Sequence, residues 1–238
     1  MIVNYTEAGW QIITQRSHGL LAAQICARWK KENQPERWME TLVATAEHDD
    51  VYNEFENEDL LNETGGPVNY KMTAFRRGDA EKLLDMAITK SRYVALLIAK
   101  HINFVHGEDP EGKVFCAEIK KNEQRWLREA KTTKAEINAA YELLEFCDAL
   151  SLLICQGMIQ PEQRKIEISN GPDGKPYSLY SGVHNELIVA DWPFEVPGFQ
   201  VSYESRLVKQ LAFPDVKTFR NAFFDSEVTL HEVKFRKR

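Results

Sequence analysis

KAEINAAYELLEFCDALSLLICQG, residues 134–157, is the stretch on which the fold turns. Apolar residues recur through it every three or four positions, the period of a helix with one buried stripe. Gly157 ends it and Pro161 lies just beyond, and both are helix stop signals. Upstream, apolar residues recur at helical spacing over long windows. Downstream come short alternating runs broken by Gly and Pro, the mark of strands and turns. The expectation is an α+β protein. Residues 1–160 form an all-α N-terminal core, and residues 161–238 form a small, mostly antiparallel β-sheet packed on it.

Five helices are expected in the first part. They run from about Gly9 to Lys31, from about Glu36 to His48, and from near Asp79 through KLLDMAITKSRYVALLIAKHINF with a break around Lys90. CAEIKKNEQRWLREAK and the quoted stretch complete the set. RKIEIS, KPYSLYS, NELIVADWPF, FQVSYESRLV and EVTLHEVKFRK are the candidate strands, with Asn170–Gly174 as a turn. Two long connections stand out, residues 53–78 and the segment HGEDPEGK at 106–113. Connections of that length tend to be lids or binding loops.

The chain has 238 residues, 43% of them hydrophobic, which is ample for a core. No apolar run is long enough to span a bilayer, and no secretory signal is visible, so a cytoplasmic protein is expected. A net charge of −6 argues against a nucleic-acid binder. Four cysteines form no CxxC pair, so neither a zinc knuckle nor a redox motif is supported. There is no P-loop, GxGxxG or GxSxG. His184 and His231 read as surface or strand residues.

The helices carry titratable residues on inward faces, where positions three, four and seven apart align. His18 aligns with Leu21, Ala22, Ile25 and Trp29. Asp49 aligns with Leu42, Thr45 and Ala46, with His48 beside that stripe. His101 aligns with Val94, Leu97 and Ile98, and Asp148 with Tyr141, Leu144 and Leu152. Imidazoles and carboxylates gathered in one core need a compensating charge, because uncompensated buried charge costs several kcal/mol. A divalent cation supplies it, and mixed N/O ligands suit Mn, Fe, Co, Ni or Zn, as one ion or two.

The order His, His-Asp, Asp on successive helices resembles the HD-domain superfamily of metal-dependent phosphohydrolases. The whole chain also looks like an uncharacterised bacterial family, a domain of unknown function. That likeness rests on QRSHG at 15–19, EHDD at 47–50, AKH at 99–101, CDALSLLIC at 147–155 and ADWPFEVPGF at 190–199. The resemblance implies an HD-like helical core with His18, His48, Asp49 and Asp148 as metal ligands. It makes His101 a ligand of a second metal or a phosphate contact. The chain departs from the superfamily where an acidic pair often follows the doublet: Tyr52 and Asn53 stand there.

The resemblance implies a metal-dependent hydrolase acting on a small phosphorylated molecule or nucleotide. Asp50 or Glu54 would serve as base or orienting group, and Arg16, Arg92 and Lys100 would meet an anionic substrate. Two other readings stay open. One is a di-iron oxygenase, for which His101 is the supporting feature. The other is a non-enzymatic HD-like ligand- or partner-binding module with a structural or degenerate metal site, which the missing acids favour.

Overall fold

Residues 1–13 form a β-hairpin, not the start of a helix. Strand β1 (Ile2–Thr6) pairs antiparallel with β2 (Gly9–Ile13). The tight turn passes through Gly9, whose φ of +133° favours glycine. A Cβ there would also lie 2.4 Å from the Val208 carbonyl oxygen. This hairpin overturns the expected all-α N-terminal half. Strands of five residues are too short for period alone to separate them from the helix that follows. Their partner is a strand far downstream that local pattern cannot reveal.

A computed structural model of the chain describes residues 1–183 and 185–238. His184 therefore lies outside the described residues. Helix α1 (Gln15–Cys26) begins at Thr14, whose hydroxyl accepts from the Ser17 N–H. Helix α2 (Trp38–Glu47) ends at His48. Ser91, extended at φ −165°, separates α3 (Arg77–Lys90) from α4 (Arg92–His106) and caps α4 by accepting from Val94 N–H. Asp109 caps α5 (Pro110–Lys120), so the second long connection is largely helical. Helix α6 (Glu123–Ala130) and α7 (Lys134–Cys155) follow, α7 opened by a capping box between Thr133 and Glu136. Gly157 takes the left-handed conformation just past it.

The later strands are β3 (Ile166–Asn170), β4 (Pro176–Ser181), β5 (Leu187–Val189), β6 (Gly198–Val208) and β7 (Val228–Arg236). Helix α8 (Val216–Asp225), absent from the sequence reading, lies between β6 and β7. All seven strands join one sheet in the order β1-β2-β6-β7-β5-β4-β3. Neighbours are antiparallel except β5 and β7, which run parallel. The fold is thus mixed α/β: one sheet built from both ends of the chain, with helices from its middle, and not a small C-terminal sheet on an all-α core.

Helices α1 and α7 pack against each other; α1 also meets β6, and α7 meets β3. Leu143, Phe146, Cys147 and Leu150 of α7 share one core with Leu21, Ile25 and Trp29 and with Leu179 and Val201 of the sheet. A second core lies among the helices, around Tyr93, Leu97, Ile98 and Leu144. The four cysteines are free, and Cys26, Cys147 and Cys155 are buried. Among the described residues no helix is long and apolar enough to cross a membrane.

Candidate metal centre

The helical register explains how the titratable residues meet. His18 sits one turn into α1, Asp49 and His48 end α2, His101 lies late in α4, and Asp148 is two-thirds along α7. Gly19 lets α1 and α2 close: a Cβ there would stand 2.6 Å from the Ala46 carbonyl oxygen. That close approach carries His18 to His48, whose rings are 4.9 Å apart edge-to-face. His101 completes the row, 4.7 Å from His48. His18, His48 and His101 are all buried.

Each side chain presents a definite atom. His48 Nδ1–H donates to the Thr45 carbonyl at 2.8 Å, which leaves Nε2 facing inward. Ser151 donates its hydroxyl to the Asp148 carbonyl at 2.8 Å, so its oxygen accepts from His18 Nδ1–H at 3.0 Å. His18 Nε2 then faces Asp49 Oδ2 at 3.1 Å. His48 Nε2 lies 3.3 Å from Asp148 Oδ1 and 3.7 Å from Asp49 Oδ2, and His101 Nε2 lies 3.6 Å from Asp49 Oδ1. Gln15 Nε2 donates to Asp49 Oδ2 at 2.8 Å.

The charges are mutually supporting. Burial disfavours the imidazolium of His48, but Asp148 and Asp49 outweigh it and hold the pKa up at about 9. Burial likewise opposes the Asp49 carboxylate, and His48, with contacts from His101 and His18, outweighs it and keeps the pKa well below the usual range. Asp148 is lowered in the same way, chiefly by His48.

These residues fit a transition-metal ion. His48 Nε2 and Asp148 Oδ1 are buried with no hydrogen-bond partner, although such atoms are normally satisfied. Backbone and hydroxyl groups orient the rings from outside, as they do around metal-binding histidines. Two overlapping donor sets result, His18–His48–Asp49 and His48–His101–Asp148, each with ligand atoms within 4.8 Å of one another. The groups could hold a metal ion.

Asp49, His101 and Asp148 line a cleft of about 290 Å³. The connection over residues 53–76 forms much of its wall, through Glu54, Leu60, Val68, Tyr70 and Arg76. Glu54 is buried, which raises its carboxyl pKa. The other sequence candidates lie elsewhere. Asp50 is held by Arg16 at 3.1 Å outside the cleft lining, and Arg92 pairs with Glu129 at 2.7 Å. Lys100 lines a different cleft.

Sequence reasoning missed Gln15, Ser151, Tyr70 and Arg76, and set His106 aside as lying past the end of its helix. A signal existed for the first two: Gln15 precedes His18 by one helical step, and Ser151 follows Asp148 by one. His106 lines the cleft beyond His101, its ring edge-on to Phe75. Arg76 is bound to Asp59 at 2.5 Å and Asp79 at 2.8 Å.

Fold and site together define a mixed α/β protein with a buried histidine–carboxylate cluster at the floor of a cleft. The chain belongs to the family described as protein of unknown function (DUF3891), whose profile matches residues 1–210. No curated protein and no solved structure matches it. The family match spans every residue of the cluster but names no activity, and membership of the HD-domain superfamily finds no support in these comparisons.

Proposed function

We propose that this chain is a metal-dependent hydrolase acting on a small phosphorylated molecule. The observation that supports this is the meeting of His18, His48, Asp49, His101 and Asp148 in one buried cluster, of which Asp49, His101 and Asp148 line a cleft. These five residues would hold one or two divalent transition-metal ions. Such an ion supplies Lewis acidity toward water and a phosphoryl oxygen.

The chain's own residues do the rest. Glu54, its carboxyl raised by burial, takes the proton of the attacking water at its carboxylate oxygen. Gln15 holds Asp49 in orientation through its amide N–H. Tyr52 and Tyr70, with Leu60, Val68 and Ile102, bound the substrate's body and exclude bulk water. Arg76 and Lys71 are cations of the cleft wall that could meet a phosphate, which would compete with Asp59 and Asp79 for the Arg76 guanidinium.

The test is elemental analysis followed by turnover of phosphomonoesters, phosphodiesters and nucleotides with Mn, Co, Ni or Fe. The expected result is about one or two equivalents of metal and a metal-dependent activity that Asp49→Asn abolishes. Bound metal without turnover of any panel member would instead favour a ligand-binding module with a structural metal.

A further inference from the structure

A second cleft, of about 270 Å³, opens on the other face of α4 from the metal centre. Leu96, Ile119, Trp126 and Ile137 give it apolar walls contributed by α4, α5, α6 and α7. Phe104 is 60% exposed and belongs to this cleft. Three lysines, Lys100, Lys120 and Lys134, line it against one acid, Glu123.

The polar groups here are unevenly matched. Lys134 is paired with Glu123 at 3.3 Å. Lys100 forms no ion pair among the described residues, and its ammonium sits 5.5 Å from the centroid of the Tyr141 ring. Burial pushes the Lys100 pKa below the usual lysine range, against the opposing charges of Glu123 and Glu142 and with a smaller push from Lys134. Trp126 and Tyr141 also line the cleft, 3% and 8% exposed, and the indole N–H and phenol O–H are buried without an acceptor. Buried donors left in that state are destabilising.

We propose that this cleft binds a small organic anion, an oxyacid head group on an apolar body. The head group answers Lys100 and offers an acceptor to Trp126, while the body covers the apolar walls, the Tyr141 ring and Phe104. A neutral apolar ligand would leave the ammonium and the indole N–H unanswered. A cation would be repelled by three lysines. A polymer does not fit a cavity of about 270 Å³. This inference is independent of any reaction at the metal centre.

The test is calorimetric titration of the full chain with octanoate and octyl phosphate, with 1-octanol as the neutral control. The expected result is saturable one-to-one binding of at least one anion, tenfold or more tighter than octanol. The preferred anion distinguishes a carboxylate from a phosphate head. Lys100→Met, which keeps the apolar stem, should weaken anion binding at least tenfold while the melting temperature holds. In ¹H–¹⁵N spectra, the indole signal that disappears in Trp126→Phe should shift on addition of the anion to the unmodified chain. No saturable anion binding, equal binding of octanol, an unchanged affinity in Lys100→Met, or a stationary Trp126 signal would each overturn the proposal.

Discussion

His48 Nε2 and Asp148 Oδ1 face each other across 3.3 Å at the meeting of α2 and α7, yet neither is satisfied by a hydrogen bond. A proton on His48 compensates the pair in the metal-free chain, and a cation would take its place between the two groups when the ring is neutral. Asp148→Asn keeps the shape and removes the charge, so the purified variant should carry far less metal than the parent. Elemental analysis of both proteins, dialysed in parallel, checks this; equal metal content would exclude Asp148 as a ligand.

Gly19 sets the distance between α1 and α2. Gly19→Ala drives a methyl group to 2.6 Å from the Ala46 carbonyl oxygen, and backbone cannot yield as a side chain can. Overpacking of this kind costs about 1–3 kcal/mol. Chemical denaturation should show that loss, and metal content should fall with it because His18 moves away from His48.

Ser151 touches no candidate ligand atom directly; it fixes which nitrogen of His18 carries the proton. Ser151→Ala should weaken metal affinity about 10- to 100-fold, the usual effect of losing such an orienting partner. Competition against a chromophoric chelator measures it. Unchanged affinity would mean that His18 keeps its orientation by packing alone.

The His48 pKa of about 9 in the metal-free chain gives a pH signature. Metal binds the neutral ring, so below about 9 a proton must leave, and affinity should rise about tenfold per pH unit up to that point. The same shift acts on metal-free stability. A raised pKa stabilises the fold fully below the unfolded value of 6.5, and that contribution is lost as pH rises through about 9. The melting temperature of the metal-free protein should therefore fall between pH 7 and pH 9.5, while that of the metal-loaded protein holds. A metal-free chain that melts at the same temperature across that range would contradict the charge assignment at His48.

The cluster was legible because helical period is a local property: His18, His48, Asp49, His101 and Asp148 each declared an inward face within a few turns of their own helix. The wall of the cleft was not. Arg76 and Tyr70 come from an irregular connection, where no period says which side chains turn inward; Glu54, in the same connection, was singled out only through the resemblance. The sheet was half legible. Strands β3 to β7 show alternation between turns, whereas β1 and β2 are two five-residue strands whose meaning comes from β6. Helix α8 is as long as α2, and it was missed because it stands alone between two strands in the part of the chain read as β.

The pairing of Gln11 with Leu207 joins β2 to β6, and it fixes an order of assembly. Every residue of the histidine–carboxylate cluster lies between positions 18 and 148, so the cluster can form as soon as α7 is made. The hairpin β1–β2 must then wait, the free edge of β2 unpaired, until β6 has been synthesised. Closing so long a loop is slow, and an open strand edge invites pairing with other chains in the interval. A metal ion captured early would anchor α1, and with it the waiting hairpin, against the helices before the sheet is closed.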